Sequence, residues 1–184
     1  MSRKGKLLRL VLLLFLSVPT ALSGQRGGGG GGPEADFLRG VAEYYNMPQA
    51  EVAVLTQWGM APAEIPVVLF LAGRAGVSPD VVVAQRQRGR AWIDISQGFG
   101  VHAGDFYVRL AGPTGPLERA YDQFSNTPAS RWSELDLEDR EIVALVNVRF
   151  MSRHLDVPPG DVIRALQGRG GVVAGYRTLR RRGP

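Results

Sequence analysis

Two histidines, His102 and His154, are the first side chains to consider for proton transfer or metal binding, because the sequence contains no others. Neither has a second histidine or a glutamate at the spacing of a helical metal-binding motif. His102 follows a predicted helix end, and His154 lies in the last turn of a predicted helix, where a cation is favoured. We therefore predict surface or capping histidines, with no metal and no cofactor.

Carboxylates are concentrated between Glu134 and Glu141, where five acidic residues fall in a short stretch. Such a cluster can bind a metal ion, but acids at a helix start are also stabilised by unpaired backbone N–H groups. An apolar, helix-forming segment follows directly. The sequence therefore favours capping over metal binding, with Asp136 as the predicted cap of a helix that runs to Leu155.

Nucleophilic groups give little indication of catalysis. The chain has no cysteine, which excludes disulfides, thiol catalysis and thiolate metal sites. No serine lies in a G-x-S-x-G or S-x-x-K motif, and no acid and histidine stand at a recognisable spacing to activate a hydroxyl group. No catalytic residue is predicted, and an enzyme whose site is assembled only by folding remains an alternative.

Tryptophan and arginine side chains near predicted helix ends form the candidate binding surface. Exposed aromatic rings beside arginines are typical anchors for a protein partner. The alternative is that both tryptophan rings close the ends of the hydrophobic core. The predicted partner-binding residues are Trp58, Arg86, Arg88, Arg90 and Trp92.

These side chains depend on a helical hairpin over residues 62–92, which turns at Gly76. Gly76 and Val77 suit the end of a helix, and Ser78 and Pro79 suit the start of the next one. Similar corners occur at 46–48 and 156–161, with Asn46 and Asp156 in place of the glycine, so all three can adopt the left-handed conformation. We predict an all-α fold of degenerate helical-hairpin repeats of about 30 residues, packed as a small bundle or short solenoid.

The central helix of this fold is predicted around residues 65–72, which are apolar on almost every side and therefore buried. A buried strand is the alternative for so short an apolar run, but the helical character of 139–145 favours a helix. The other predicted helices cover residues 34–45, 48–58, 79–88, 91–99, 103–110, 117–124 and 136–155, with a last hairpin over 159–180.

Residues 88–101, followed by Phe106 and Tyr107, resemble the helix-turn-helix of bacterial DNA-binding proteins. In that motif a helix ends in glycine plus an apolar residue, and the next helix enters the major groove. The resemblance implies a reading helix over 103–109 and gives DNA binding as an alternative function.

Charge and composition divide the chain into four predicted segments. Residues 1–23 have a basic start, an apolar run and small residues before Gly24, as a cleaved secretory signal does. Six consecutive glycines make 24–33 a flexible linker. A single helical domain follows over 34–176, with a non-repeat insert at 112–134, and 177–184 is a basic tail.

The net charge of +5 comes from the two ends of the chain, because residues 24–176 carry 14 arginines against 17 acids. This balance disfavours a nucleic-acid partner, which requires a clustered basic face. We predict an exported, non-catalytic binding or scaffold protein of the bacterial cell envelope, periplasmic or secreted, with no membrane span after signal cleavage. A protein partner is expected, with a second contact to an anionic surface through Arg177, Arg180, Arg181 and Arg182.

Overall fold

The computed structural model describes residues 31–182, and all regular structure within that range is helical. The α-helices are α1 Pro33–Tyr45, α2 Gln49–Gln57, α3 Ile65–Ala75, α4 Pro79–Gln87, α5 Trp92–Gly98, α6 Ala103–Phe106, α7 Glu118–Asn126, α8 Asp139–His154, α9 Pro159–Leu166 and α10 Gly171–Arg180. Short 3-10 helices cover Pro62–Glu64, Gly115–Leu117 and Ala129–Glu134. The predicted all-α class is confirmed for these residues. The predicted signal and most of the glycine linker lie outside them.

Helix α3 is the centre of the core, as its sequence predicts. All eight residues from Ile65 to Ala72 are buried, because a segment without polar side chains gains most by leaving water on every side. The long helix α8 packs against α3 and buries Ile142, Leu145 and Phe150 in the same core. Helices α3 and α8 together position the other elements.

Three corners between consecutive helices share one backbone geometry. Asn46, Gly76 and Asp156 have φ values of 51°, 66° and 52°, all in the left-handed region. The next residue then donates a backbone hydrogen bond across the last helical turn, which satisfies a carbonyl left unpaired at the helix end. These bonds are Met47 to Ala42 (2.9 Å), Val77 to Ala72 (3.1 Å) and Val157 to Ser152 (3.1 Å). The predicted left-handed corners are confirmed.

The start of α8 differs from its prediction. Asp136 is not the cap: the helix begins at Asp139, and Glu138 occupies the N-cap position. The Glu141 carboxylate accepts a hydrogen bond from the backbone N–H of Glu138 at 2.8 Å, and Arg119 also donates to Glu141. The acidic cluster therefore serves helix capping, as predicted, but through a glutamate in the first turn of α8 rather than through Asp136.

The C-terminal helices α9 and α10 pack on each other, and they contact α8 and α1 respectively. Because α10 extends to Arg180, the basic segment predicted as a tail from residue 177 begins inside a helix. The predicted insert at 112–134 contains α7 and two 3-10 helices. Its Trp132 donates from the indole N–H to the Thr127 carbonyl at 2.9 Å and packs against Tyr107.

Candidate functional site

The candidate binding surface predicted to include both Trp58 and Trp92 is not formed, because Trp92 lies inside the protein. Its side chain has no exposed surface, and its indole N–H donates to a carboxylate oxygen of Glu64 at 3.1 Å. A fully buried ring cannot act as an anchor for a partner. The alternative stated for Trp92, closure of the core, is what the structure shows.

Arg86 is held by the same structural network as Trp92. Its guanidinium pairs with Glu64 at 2.7 Å and Asp139 at 2.6 Å, and its Cζ lies 4.8 Å from the centre of the Trp92 ring. Burial alone would lower the pKa of this guanidinium, but the hydrogen bonds to Asp139 and Glu64 outweigh burial and raise it. Asp139 also accepts from the Trp92 backbone N–H at 2.7 Å. Arg86 therefore connects α4, α5 and α8 rather than facing a partner.

The remaining predicted arginines, Arg88 and Arg90, are exposed at the end of α4. Arg90 donates to the side chain of Gln85 at 3.1 Å and to the Asp94 carbonyl at 3.0 Å. Both arginines lie on the surface. Because the Trp92 ring is buried, it does not form a groove with them.

Trp58 is the one predicted aromatic anchor that reaches solvent, with 42% of its surface exposed. It lines an open groove of about 280 Å³ between α2 and the start of α4. The groove floor is mainly apolar, and Glu51 and Asp80 supply its carboxylates. Its other lining residues are Met47, Val54, Leu55, Ser78 and Pro79.

The helix-turn-helix resemblance is not supported by the geometry. The expected reading helix over 103–109 is the single turn Ala103–Phe106, which is too short to present a row of side chains to a groove. Ala103 and Phe106 are both buried in the core. His102 occupies the N-cap position of this turn, as predicted, and its backbone N–H donates to Asp105 at 2.9 Å.

His154 lies in the last turn of α8, as predicted, but it is mostly buried rather than at the surface. Its side chain is 17% exposed, and Nε2 lies 3.2 Å from the Tyr176 hydroxyl and 3.6 Å from a Glu43 carboxylate oxygen. Burial lowers its pKa, and Arg180 acts in the same direction, while Glu43 acts in the opposite one. The contact joins α8 to α10, a pairing that no local sequence signal indicates.

Sequence reasoning located the basic residues at the end of the chain but missed the surface that they form. Residues 159–182, named here the basic hairpin, carry six arginines against the single carboxylate of Asp161. All six side chains are exposed: Arg164, Arg169, Arg177, Arg180, Arg181 and Arg182. Counting charge by structural unit rather than by chain end would have revealed this hairpin.

Two open clefts lie in the basic hairpin region, one on each side of α10. One of about 480 Å³ lies between α9 and α10 and is lined by Arg164, Arg169 and Arg182. Another of about 460 Å³ lies between α10 and the start of α1 and is lined by Arg177, Arg180 and Arg181. Of these arginines, Arg164 pairs with Asp161, and Arg180 lies 3.7 Å from Asp36. The other four have no carboxylate within ion-pair distance among the described residues.

Within residues 31–182, no three histidine or acidic side chains are grouped as a metal site. None of the helices in that range has both the length and the apolarity that crossing a membrane requires. Comparison with protein-family models, curated proteins and solved structures finds no match to this chain.

Proposed function

We propose that this chain is an exported, non-catalytic binding or scaffold protein of the bacterial cell envelope, periplasmic or secreted, and that its basic hairpin binds an anionic lipid surface. The sequence of residues 1–23, with its basic start and short apolar run, supports export. The helical domain supplies a rigid support for the hairpin.

Charge segregation is the observation that carries this proposal. Residues 31–158 contain 11 arginines and 16 acids, a formal charge of −5, whereas the basic hairpin has a formal charge of +5. If these charged residues were distributed at random, their positive and negative charges would largely cancel in each part of the chain. One cationic end on an otherwise acidic domain, over residues 31–182, orients that domain toward a negative surface.

An anionic membrane surface suits the exposed and mostly unpaired arginines of this hairpin. Each basic residue held near such a surface contributes about 1 kcal/mol to binding. Val172 and Val173, at the start of α10, are only partly buried and add apolar surface next to the arginines. Because α10 is one helix, its charges approach the surface together and lose less conformational freedom than a flexible tail would lose.

A protein partner is the second element of the proposed function, and the groove around Trp58 is its proposed place. An exposed tryptophan over an apolar floor is a typical interface anchor. We also propose that the hairpins α1–α2, α3–α4 and α8–α9 are degenerate copies of one unit, since their corners share the same backbone geometry. Repeats of this kind commonly present an extended surface to a partner.

The lipid proposal is tested by co-sedimentation of the purified protein that begins at Gly24, without the predicted signal, with vesicles. We expect binding to phosphatidylglycerol-containing vesicles, little binding to pure phosphatidylcholine, and weaker binding as salt rises from about 50 to about 300 mM. The triple variant Arg177→Gln, Arg181→Gln, Arg182→Gln should lose most of this binding.

The control removes the same charge from exposed arginines elsewhere, at Arg88, Arg131 and Arg140. This variant should sediment with the vesicles as the unchanged protein does. Equal loss in both triple variants would mean that total charge, not the hairpin, determines binding, and the proposal would fail.

A further inference from the structure

Arg149 in α8 is a half-buried cation without an acidic partner among residues 31–182. Its guanidinium lies over the Phe70 ring of α3, with Cζ 5.0 Å from the ring centre. It donates one hydrogen bond, to the Tyr107 carbonyl at 2.8 Å. A guanidinium has five N–H donors, so most of its capacity is not used by the described residues.

Two further arginines surround this position. Arg74 lies over the same Phe70 ring, with Cζ 5.3 Å from its centre, and Arg153 follows Arg149 by one helical turn. Arg74 pairs with Asp105 at 2.7 Å, which is the one carboxylate within ion-pair distance of the three arginines among residues 31–182. We name Arg74, Arg149 and Arg153 the Phe70 arginine cluster.

The electrostatics of this cluster disfavour its charges in the absence of an anion. Burial lowers the pKa of Arg149, and the positive charges of Arg153 and Arg74 lower it further, while the phenols of Tyr44 and Tyr45 act in the opposite direction. Elsewhere in the protein a partly buried arginine is paired, as Arg86 is with Glu64 and Asp139. Partly buried cations are normally compensated in this way.

We propose that the Phe70 arginine cluster binds an oxyanion, namely a carboxylate or phosphate group of a ligand, with Arg149 as the central contact. An oxyanion presents two or more oxygens to the planar fork of a guanidinium and accepts the hydrogen bonds that Arg149 leaves unused. Phe70 holds the guanidinium plane, and the Tyr107 carbonyl fixes its orientation.

This site is separate from the basic hairpin in sequence and in the elements that form it. The cluster is formed by α3 and α8, whereas the hairpin is formed by α9 and α10. The two proposals therefore fail independently, since loss of hairpin arginines removes vesicle binding and loss of Arg149 removes binding of a small anion.

The test is a titration of the purified full chain with inorganic phosphate and, separately, with acetate, at constant ionic strength maintained with chloride. NMR of the arginine side-chain N–H groups gives the readout. We expect a saturable shift of the Arg149 signal, with a dissociation constant below about 10 mM for at least one anion. Saturation by phosphate alone indicates a phosphate ligand, and saturation by acetate indicates a carboxylate ligand.

Substitutions of single arginines test whether the anion binds at Arg149. Arg149→Gln should weaken binding about tenfold or more, and Arg149→Lys should also weaken it, because an ammonium group cannot form the two-pronged contact. Arg140→Gln is the matched control: Arg140 belongs to the same helix and is exposed, and this variant should bind normally. If Arg149→Gln fails to fold, Arg74→Gln and the signal shifts of the unchanged protein decide the question.

The proposal is overturned if neither anion gives a saturable shift of the Arg149 signal. It is also overturned if Arg140→Gln weakens binding as much as Arg149→Gln does, or if the hairpin triple variant abolishes the binding. Either of the last two results would assign the effect to general charge or to the basic hairpin.

Discussion

Nε2 of His154, the last residue of α8, lies 3.2 Å from the hydroxyl of Tyr176 in α10. When Nε2 is unprotonated, it accepts the hydrogen bond of that hydroxyl. The Tyr176 ring is almost entirely buried and packs against Phe37 and Phe150. The basic hairpin therefore packs against the rest of the protein through an aromatic cluster that contains a titratable imidazole.

This contact predicts a pH-dependent stability. Burial lowers the pKa of His154 in the folded state, so the unfolded chain takes up the proton first as the pH falls. The stabilisation is complete above the unfolded value of about 6.5 and is lost as the pH decreases through the lower, folded value. The free energy of unfolding, measured with urea at several pH values between about 7.5 and about 5, should therefore decrease toward acid.

The His154→Gln variant should lose that part of the pH dependence, whereas His102→Gln, changed at the other histidine, should keep it. A steeper or unchanged slope in His154→Gln would contradict the assignment to His154.

Gly40 of α1 should not tolerate a side chain. A Cβ atom at this position would overlap the Tyr176 hydroxyl oxygen, so Gly40→Ala must displace the buried Tyr176 side chain. We expect a loss of about 1–3 kcal/mol in the free energy of unfolding. The matched control is Gly73→Ala in α3, where a Cβ meets nothing within 4 Å and should stabilise the helix by about 0.5–1 kcal/mol. Equal effects of the two substitutions would refute the close approach.

Arg86 should be a stability residue rather than a partner contact. Arg86→Ala leaves Glu64 and Asp139 without their cation and uncovers one face of the Trp92 ring, which should lower the free energy of unfolding by about 2 kcal/mol or more. Arg88→Ala, two residues later and exposed, should leave stability unchanged. Urea denaturation of both variants gives the comparison, and a stable Arg86→Ala protein would argue against the network.

The shared corner geometry predicts a ranking of substitutions at Gly76. Its φ of 66° requires the left-handed region, which alanine occupies at a cost of about 1 kcal/mol and asparagine occupies more readily. Since Asn46 holds the same geometry at the first corner, Gly76→Asn should be less destabilising than Gly76→Ala. Thermal unfolding distinguishes the two, and the reverse order would separate this corner from the one at Asn46.

Export and cleavage are tested by fractionating cells that produce a C-terminally tagged chain and measuring its intact mass. We expect a periplasmic or secreted product that begins at Gly24. An uncleaved cytoplasmic product would contradict the proposed location.

The sequence by itself determined the features that depend on neighbouring residues. The ends of α1, α3 and α8 are fixed by Asn46, Gly76 and Asp156, because a helix stop involves the hydrogen bonds of a single turn. The burial of α3 follows from its composition, since a helix without a polar face has no side to expose. The all-helical class follows from these signals repeated along the chain.

Tertiary structure decided which side chains meet across long sequence separations. The burial of Trp92 depends on Glu64 and α8, and the position of His154 depends on α10; neither partner lies within reach of a local pattern. In the sequence Arg149 is one more helical arginine, and only the tertiary structure shows that it packs on Phe70 with no acid beside it among residues 31–182. Pair interactions of this kind depend on distances in space, which a sequence specifies only through the complete fold.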